Sequence, residues 1–201
     1  MNAPASDCRF GEAVESYFGL YTAIVDNDQD PEGRGRVTLR LPWIGKTFTT
    51  QWVKVAQIYA GNGYGAYWIP EPKDQVIVAF LRGQLRHPIV IGSLYSSNVI
   101  PHAARKSGKD PKYFRTKGGH MLLMEDGTGK KIELIDSTGK NSVLIDSTAN
   151  TITVKAQADV KVSGGANVSV EATGNLTLKG AAIKIEATGA VTVSGATINL
   201  N

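Results

Sequence analysis

The groups that could do chemistry are few and far apart in this sequence. Its three histidines are His87, His102 and His120. An imidazole near neutral pH can serve as a general base or a metal ligand. If three copies of the chain met on an axis, three His120 rings could converge there, near Glu125 and Asp126. Yet each histidine stands beside a turn-forming residue, Pro88, Pro101 or Gly119, and reads better as a loop position. Cys8 is the sole cysteine, which excludes an intrachain disulfide and a cysteine-rich metal site. The carboxylates Asp159, Glu171 and Glu186 could imitate a glycosidase pair, but that chemistry needs two carboxyls across a defined gap. No aromatic residue follows Phe114, so a sugar ring would find no platform near them. No catalytic residue, cofactor or metal site is expected, and the chain reads as a non-enzyme.

A second constellation lies earlier. Arg34, Arg36, Arg40, Lys46 and Lys54 interleave with Trp43, Trp52, Tyr59, Tyr64 and Trp68. Cations among aromatics can hold single-stranded nucleic acid by charge and base stacking. The plainer reading places the tryptophans in a core or interface and leaves the cations in water, and it is preferred here. "GRGR" at 33–36 and "GNGYG" at 61–65 lack the Lys-Ser/Thr or strand–helix setting of a phosphate loop, so both read as turns or flexible loops.

These residues need elements to position them. The chain has 201 residues, 42% apolar and 20% charged, with net charge +4 and pI near 9.1. This is ordinary globular composition, mildly basic, with no demand for an acidic partner. The first 21 residues lack a basic head followed by an apolar run, so no signal peptide is expected and folding in the cytoplasm is. No apolar run is long enough for a transmembrane helix.

Composition changes sharply along the chain. Every Trp, Tyr and Phe lies at or before Phe114, the last proline is Pro111 and the last arginine is Arg115. The sequence predicts an N-terminal segment (1–17), a β-barrel (18–97), a linker (98–117) and a distinct C-terminal half (118–201). In the barrel, "GLYTAIVDN", "RVTLRLP", "QWVKVAQIY", "DQVIVAFLRG" and "HPIVIGSLY" read as strands separated by Gly-, Pro- and Asp-rich turns. Five short strands favour closure into an OB-type barrel, which removes exposed edges.

The C-terminal half repeats a formula, apolar–polar–apolar and then a short polar stretch often holding glycine. The pairs are Ile152/Val154, Val160/Val162, Val168/Val170, Leu176/Leu178, Ile183/Ile185, Val191/Val193 and Ile198/Leu200, at steps of eight, eight, eight, seven, eight and seven. "LIDST" at 134–138 and again at 144–148 is a looser version. Each unit predicts one short strand with both apolar side chains on one face, then a bend eased by Gly164, Gly165, Gly174, Gly180, Gly189 or Gly195. Eight residues are too few for a full β-helical coil. Three chains each supplying a third would close a layer. The result would be a homotrimeric triple-stranded β-helix with the twelve paired residues from Ile152 to Val193 in its core. Some nine units stacked at the strand spacing would make a needle of roughly 40–45 Å.

At this point the sequence resembles the baseplate assembly protein V family, the central spikes of contractile phage tails. It is also similar to the spike portion of VgrG proteins from type VI secretion and related injection particles. The resemblance is carried by "GRVTLRLPW" (35–43), "IPEPKDQVIVAFLRG" (69–83), "HPIVIGSLYSS" (87–97) and "GGHMLLMEDGTGKKIELID" (118–136). Lys73 and Gln75 stand where the family usually has Gly and Glu. The resemblance implies a trimeric spike that joins a tail hub through its barrel and is driven through a target envelope, within a virion or extracellular particle. It implies a separate hub protein, since the chain has no room for one. With no histidine after His120, it also implies a PAAR-type protein, rather than a bound iron, capping Ile198, Leu200 and Asn201. Two other classes compete with this reading, a β-helical fibre enzyme acting on polysaccharide and an OB-type single-strand binder.

Overall fold

The computed structural model describes residues 16–97 and 99–199. The chain divides into two compact units, Met1–Pro111 and Lys112–Asn201. Among the described residues the fold is all-β, with one 3-10 turn at Leu81–Gly83 and no α-helix.

The first unit holds β1 (Leu20–Asn27), β2 (Thr38–Arg40), β3 (Lys54–Val55), β4 (Ala60–Gly61), β5 (Tyr64–Gly65), β6 (Gln75–Phe80) and β7 (Pro88–Leu94). Its main sheet has the order β2-β1-β6-β7-β3, antiparallel except for the short parallel β3–β7 pair. The two ends of that order meet. Val37, just before β2, and Val53, just before β3, exchange both backbone hydrogen bonds, at 3.0 and 2.7 Å. The sheet therefore closes on itself and leaves few unpaired edges. A bulge leaves Ile91 without a partner opposite Ile77 and Val78, and such bulges bend a strand around a barrel.

Period-two alternation decides what the barrel encloses. Ala23 and Val25, Val37, Leu39 and Leu41, and Val76, Val78 and Phe80 all point inward and are buried with Val53 and Val90. The residues between them face out. Tyr17, Tyr21, Trp43 and Phe80 form a ring cluster, with Tyr21 and Trp43 stacked at 4.7 Å, and the Trp43 indole N–H donates to the Thr22 carbonyl at 3.0 Å.

Two turns explain local sequence choices. The β1–β2 loop winds around the Asp30 carboxylate, which accepts from the Arg36 guanidinium at 2.7 and 2.9 Å and from the backbone N–H groups of Glu32 and Arg34. The Asp30 side chain is almost fully buried, and Arg36 holds its carboxyl far below the usual range. The "GNGYG" segment, read from sequence as a turn or flexible loop, forms the tight turn of the β4–β5 hairpin. Asn62-Gly63 supplies the positive φ (81° at Gly63) that a two-residue hairpin turn favours.

The second unit opens with β8 (Pro111–Arg115), which begins within the expected linker, then β9 (Met121–Glu125), β10 (Lys131–Ile135), β11 (Ser142–Asp146) and β12 (Thr151–Lys155). These five strands lie in the order β12-β11-β10-β9-β8, an antiparallel meander. The "LIDST" repeat is two successive turns of it. Asp136 ends β10 and accepts from the Thr138 hydroxyl, the Asn141 side-chain amide and the Lys140 N–H. Asp146 ends β11 and accepts from the N–H groups of Thr148 and Ala149.

Two of these turns can be tested directly. Lys73 sits at φ 81°, the left-handed region that a side chain resists and glycine accepts. Replacing it by glycine removes that strain, so Lys73→Gly should raise stability by about 1 kcal/mol in chemical denaturation. Asp136 is held down to about 2 from an ordinary 3.8, chiefly by the Thr138 hydroxyl. Since its folded pKa is the lower, its contribution is complete above about pH 4. That contribution is lost as pH falls toward the folded value. Melting temperature should drop over that interval in the native protein, and Asp136→Asn should flatten part of the drop.

Candidate functional site

The sequence marks an apolar series for function, and the structure shows how each member is placed. Paired residues of an antiparallel ladder share a face. Ile132 pairs with Met124 on one side and Ile145 on the other, and Ile145 pairs with Ile152. Leu134 likewise pairs with Leu122 and Val143, and Val143 with Val154. One face of β9–β12 thus carries two rows of four apolar side chains. The opposite face mixes Met121, Leu123, Ile135 and Leu144 with Glu125, Lys131, Glu133, Asp146 and Lys155. A sheet with one face apolar throughout is expected to bury that face. In the single chain it does not: Ile132, Leu134, Val143 and Ile145 are exposed, Ile152 is 73% exposed and Val154 is exposed beside it.

Beyond β12 the contrast is sharper. Every described residue from 157 to 199 is exposed. The residues expected in an apolar core are therefore not buried within one chain. Val160, Val162, Val168, Val170, Leu176, Leu178, Ile183, Ile185, Val191 and Val193 all face solvent, from 53% exposed at Val191 to 77% at Val162. Leu178 and Ile185, at 67% and 68%, are as open as any second member of a pair except Val162. The physical reason is the missing neighbour. Among the described residues, none from 156 onward makes a backbone–backbone hydrogen bond, so no second strand lies against these side chains. The triplets expected to be strands accordingly have no ladder.

Their geometry is nonetheless regular. Bends fall at 157–158, 165–166, 173–174, 181, 188–189 and 196, each between two of the predicted pairs. From Val160/Val162 through Leu176/Leu178 and Ile183/Ile185 to Val191/Val193, the first member of each pair is always the less exposed one. Each unit holds its pair alike. Ile198 is exposed as well, while Leu200 and Asn201 lie outside the described residues.

The bends do not work as the sequence suggests. None of Gly164, Gly165, Gly174, Gly180, Gly189 and Gly195 adopts a positive φ. What distinguishes Gly164 is space, since an added Cβ would lie 2.7 Å from the Asn167 carbonyl oxygen. At Gly174 nothing lies within 4 Å.

The other candidates are placed as follows. His87 Nδ1 meets the Gln84 side-chain carbonyl at 2.9 Å, in a turn. His120 also lies in a turn, where its Nδ1 accepts the Ser137 N–H at 3.2 Å. Glu171 accepts from the Ser169 hydroxyl at 3.1 Å, and Glu186 pairs with Lys184. Asp159 is exposed on a different unit from both. Among the barrel cations, Arg36 is held by Asp30 and Glu32, and Arg34 pairs with Glu32 at 2.8 Å. Arg40 Nε lies 3.3 Å from Asp26, near enough for charge attraction but not aligned as a hydrogen bond. Tyr59 and Tyr64 touch each other on the β4–β5 arm, exposed. Trp68 is exposed beside them, with its backbone held by the Gln57 amide at 3.1 and 3.2 Å. Among the described residues no cluster of His, Cys, Asp and Glu could hold a metal ion, and no helix is long and apolar enough to cross a membrane. Sequence reading missed Leu122, Met124, Ile132, Leu134, Val143 and Ile145. Ile132-Glu133-Leu134 shows the apolar–polar–apolar spacing that could have found that pair, whereas Leu123 and Leu144 interrupt that spacing in the neighbouring strands.

A closed five-stranded barrel of this strand order is an OB-type domain. Residues 21–95 match the family model described as the type VI secretion system/phage-baseplate injector OB domain. Over that stretch the resemblance to the baseplate V and VgrG-like spike family is shown. The chain is similar to the actin cross-linking toxin VgrG1 of Vibrio cholerae, with 34% identity over 106 residues, 48% of this chain and 10% of that protein. It is also similar to the type VI secretion system spike protein VgrG3 of Vibrio cholerae, at 39% over 74 residues, 34% of this chain and 7% of that protein. The spike protein VgrG1a of Pseudomonas aeruginosa matches at 30% over 109 residues, 47% of this chain and 17% of that protein. The chain therefore spans less than a fifth of these relatives.

The glycine geometry generates a test. Gly164→Ala should destabilise the full chain by about 1–3 kcal/mol, as overpacking does. Gly174→Ala should fall within about 0.5 kcal/mol of the native protein. Thermal melts of the two variants side by side distinguish them.

Proposed function

We propose that this protein is the central spike of a contractile tail or injection particle, a homotrimer that acts mechanically and not as an enzyme. The observation that carries the reading is the uncovered apolar array from Ile152 to Ile198, regular in sequence and bend position yet without a backbone partner in its own chain beyond β12. Each unit leaves a pair of large aliphatic side chains in water, and burying one of these stabilises by roughly 1.5–3 kcal/mol. The backbone groups of the same units need hydrogen bonds as well. Two further copies of the same repeat satisfy both needs at once, in a triple-stranded β-helix over about 118–201, with the barrel at about 18–97 set before it and 98–117 joining them. Pairs such as Leu176/Leu178 and Ile183/Ile185, bare in one chain, then become the inner layers of the assembly.

In this reading the barrel docks on a tail hub and the array is pushed through a target envelope. The injector OB match over residues 21–95 supports the attachment role. A PAAR-type protein covers the apolar layer at Ile198, as the resemblance implies. The internal pairing of Arg34 and Arg36 and the anchoring of Trp43 favour this reading over single-strand binding.

The decisive measurement is the mass of the full-length protein in solution. Sedimentation equilibrium should return three times 21.5 kDa. Val170→Asp places three carboxylates in one buried layer, each at a cost of several kcal/mol unless protonated, and should shift the protein to smaller species. A folded wild-type monomer at micromolar concentration sinks the proposal.

A further inference from the structure

The array is well made for association and poorly made for alignment. Its units repeat at eight residues with nearly the same chemistry and the same exposure pattern. If one chain slips by a unit, Val168 and Val170 simply take the place of Val160 and Val162. Only the two seven-residue steps, Leu176 to Ile183 and Val191 to Ile198, resist such a slip. Register is weakly specified wherever alternative pairings bury the same surface.

The sheet of β9–β12 has the opposite properties. Its ladder is complete within one chain, so the face exists before any partner arrives. Its turns are tied down by Asp136, Asp146 and His120. Its two rows read Met-Ile-Ile-Ile and Leu-Leu-Val-Val, Met124–Ile132–Ile145–Ile152 and Leu122–Leu134–Val143–Val154. The last column of that face, Ile152 and Val154, is also the first pair of the array. The preformed surface and the unformed one are therefore continuous.

We infer that the apolar face of β9–β12 is the seat on which three copies of this chain align, and that it sets the register in which the following repeats pair. The inference rests on the trimeric reading above. The occupant is the same face of two further copies, because the surface runs without a break into a repeat that needs those copies. The sheet seats first, and the array zips from Val160 onward.

The test uses the full chain with Cys8→Ser. Mixed assemblies combine chains carrying Ser169→Cys with chains carrying Ser169→Cys, Thr177→Cys or Thr192→Cys, and oxidation followed by mass mapping records which positions join. With the native face, one fixed set of interchain disulfides is expected. With Leu134→Thr and Ile145→Thr, the same set should persist alongside a second set displaced by one eight-residue unit. Val168→Thr with Val170→Thr removes as many apolar side chains from the array and should keep the single set. The milder Ile145→Thr alone covers the case in which the double face variant does not fold. Retention of one set in a folded face variant, or equal scrambling in both kinds of variant, overturns the inference. A wild-type chain that is monomeric by sedimentation overturns the trimeric reading on which it rests.

Discussion

A β-strand without a neighbour is an unfinished object. Its amides and carbonyls face water, and its apolar side has nothing to lie against. Residues 157–199 consist of a series of such triplets, and that incompleteness organises the second half of the chain. Single units are too short to coil back on themselves, and in the trimeric reading proposed above their pairing comes from outside the chain. The repeat holds what that demands: aliphatic pairs at fixed spacing, small polar residues between them, and a bend in each interval.

The barrel answers the same constraint from within. Its strands find every neighbour they need in one chain, because Val37 and Val53 join the two ends of the sheet. Its core is drawn from alternate residues of the strands, and its outer face is left to charge pairs such as Arg40 with Asp26. One chain thus holds a unit that is complete alone and another that is not. The meander of β8–β12 stands between these cases, with its inner strands paired on both sides, its two edges open and one bare apolar face.

Much of this is legible from residue order. The alternation of Val37, Leu39 and Leu41 predicts their burial, and the octad spacing predicts where the bends fall. Legibility fails where the deciding contact is distant or purely local. The closure through Val37 and Val53 depends on two residues sixteen apart whose pairing no pattern encodes. "GNGYG" looks slack because glycine permits many conformations, yet the hairpin uses only one. The repeat glycines suggest unusual backbone angles, whereas Gly164 answers to crowding by the Asn167 carbonyl. Pattern also marks Leu178 and Ile185 as apolar positions without saying what covers them, and nothing in their own chain does. The face of β9–β12 is only half legible along the chain, since Ile132-Glu133-Leu134 and Ile152-Thr153-Val154 alternate while Leu123 and Leu144 break the alternation in the other two strands.

The recurrence of the bends carries a consequence for how such a chain can vary by descent. A unit that brings its own aliphatic pair and its own corner is modular at the level of the gene. Duplication or deletion of eight codons within 157–196 would add or remove one unit while leaving the neighbouring bends in phase. Array length then becomes a heritable quantity that changes in discrete increments. In the mechanical role proposed above, it is free to follow the thickness of whatever barrier a lineage meets, while selection on the barrel proceeds separately.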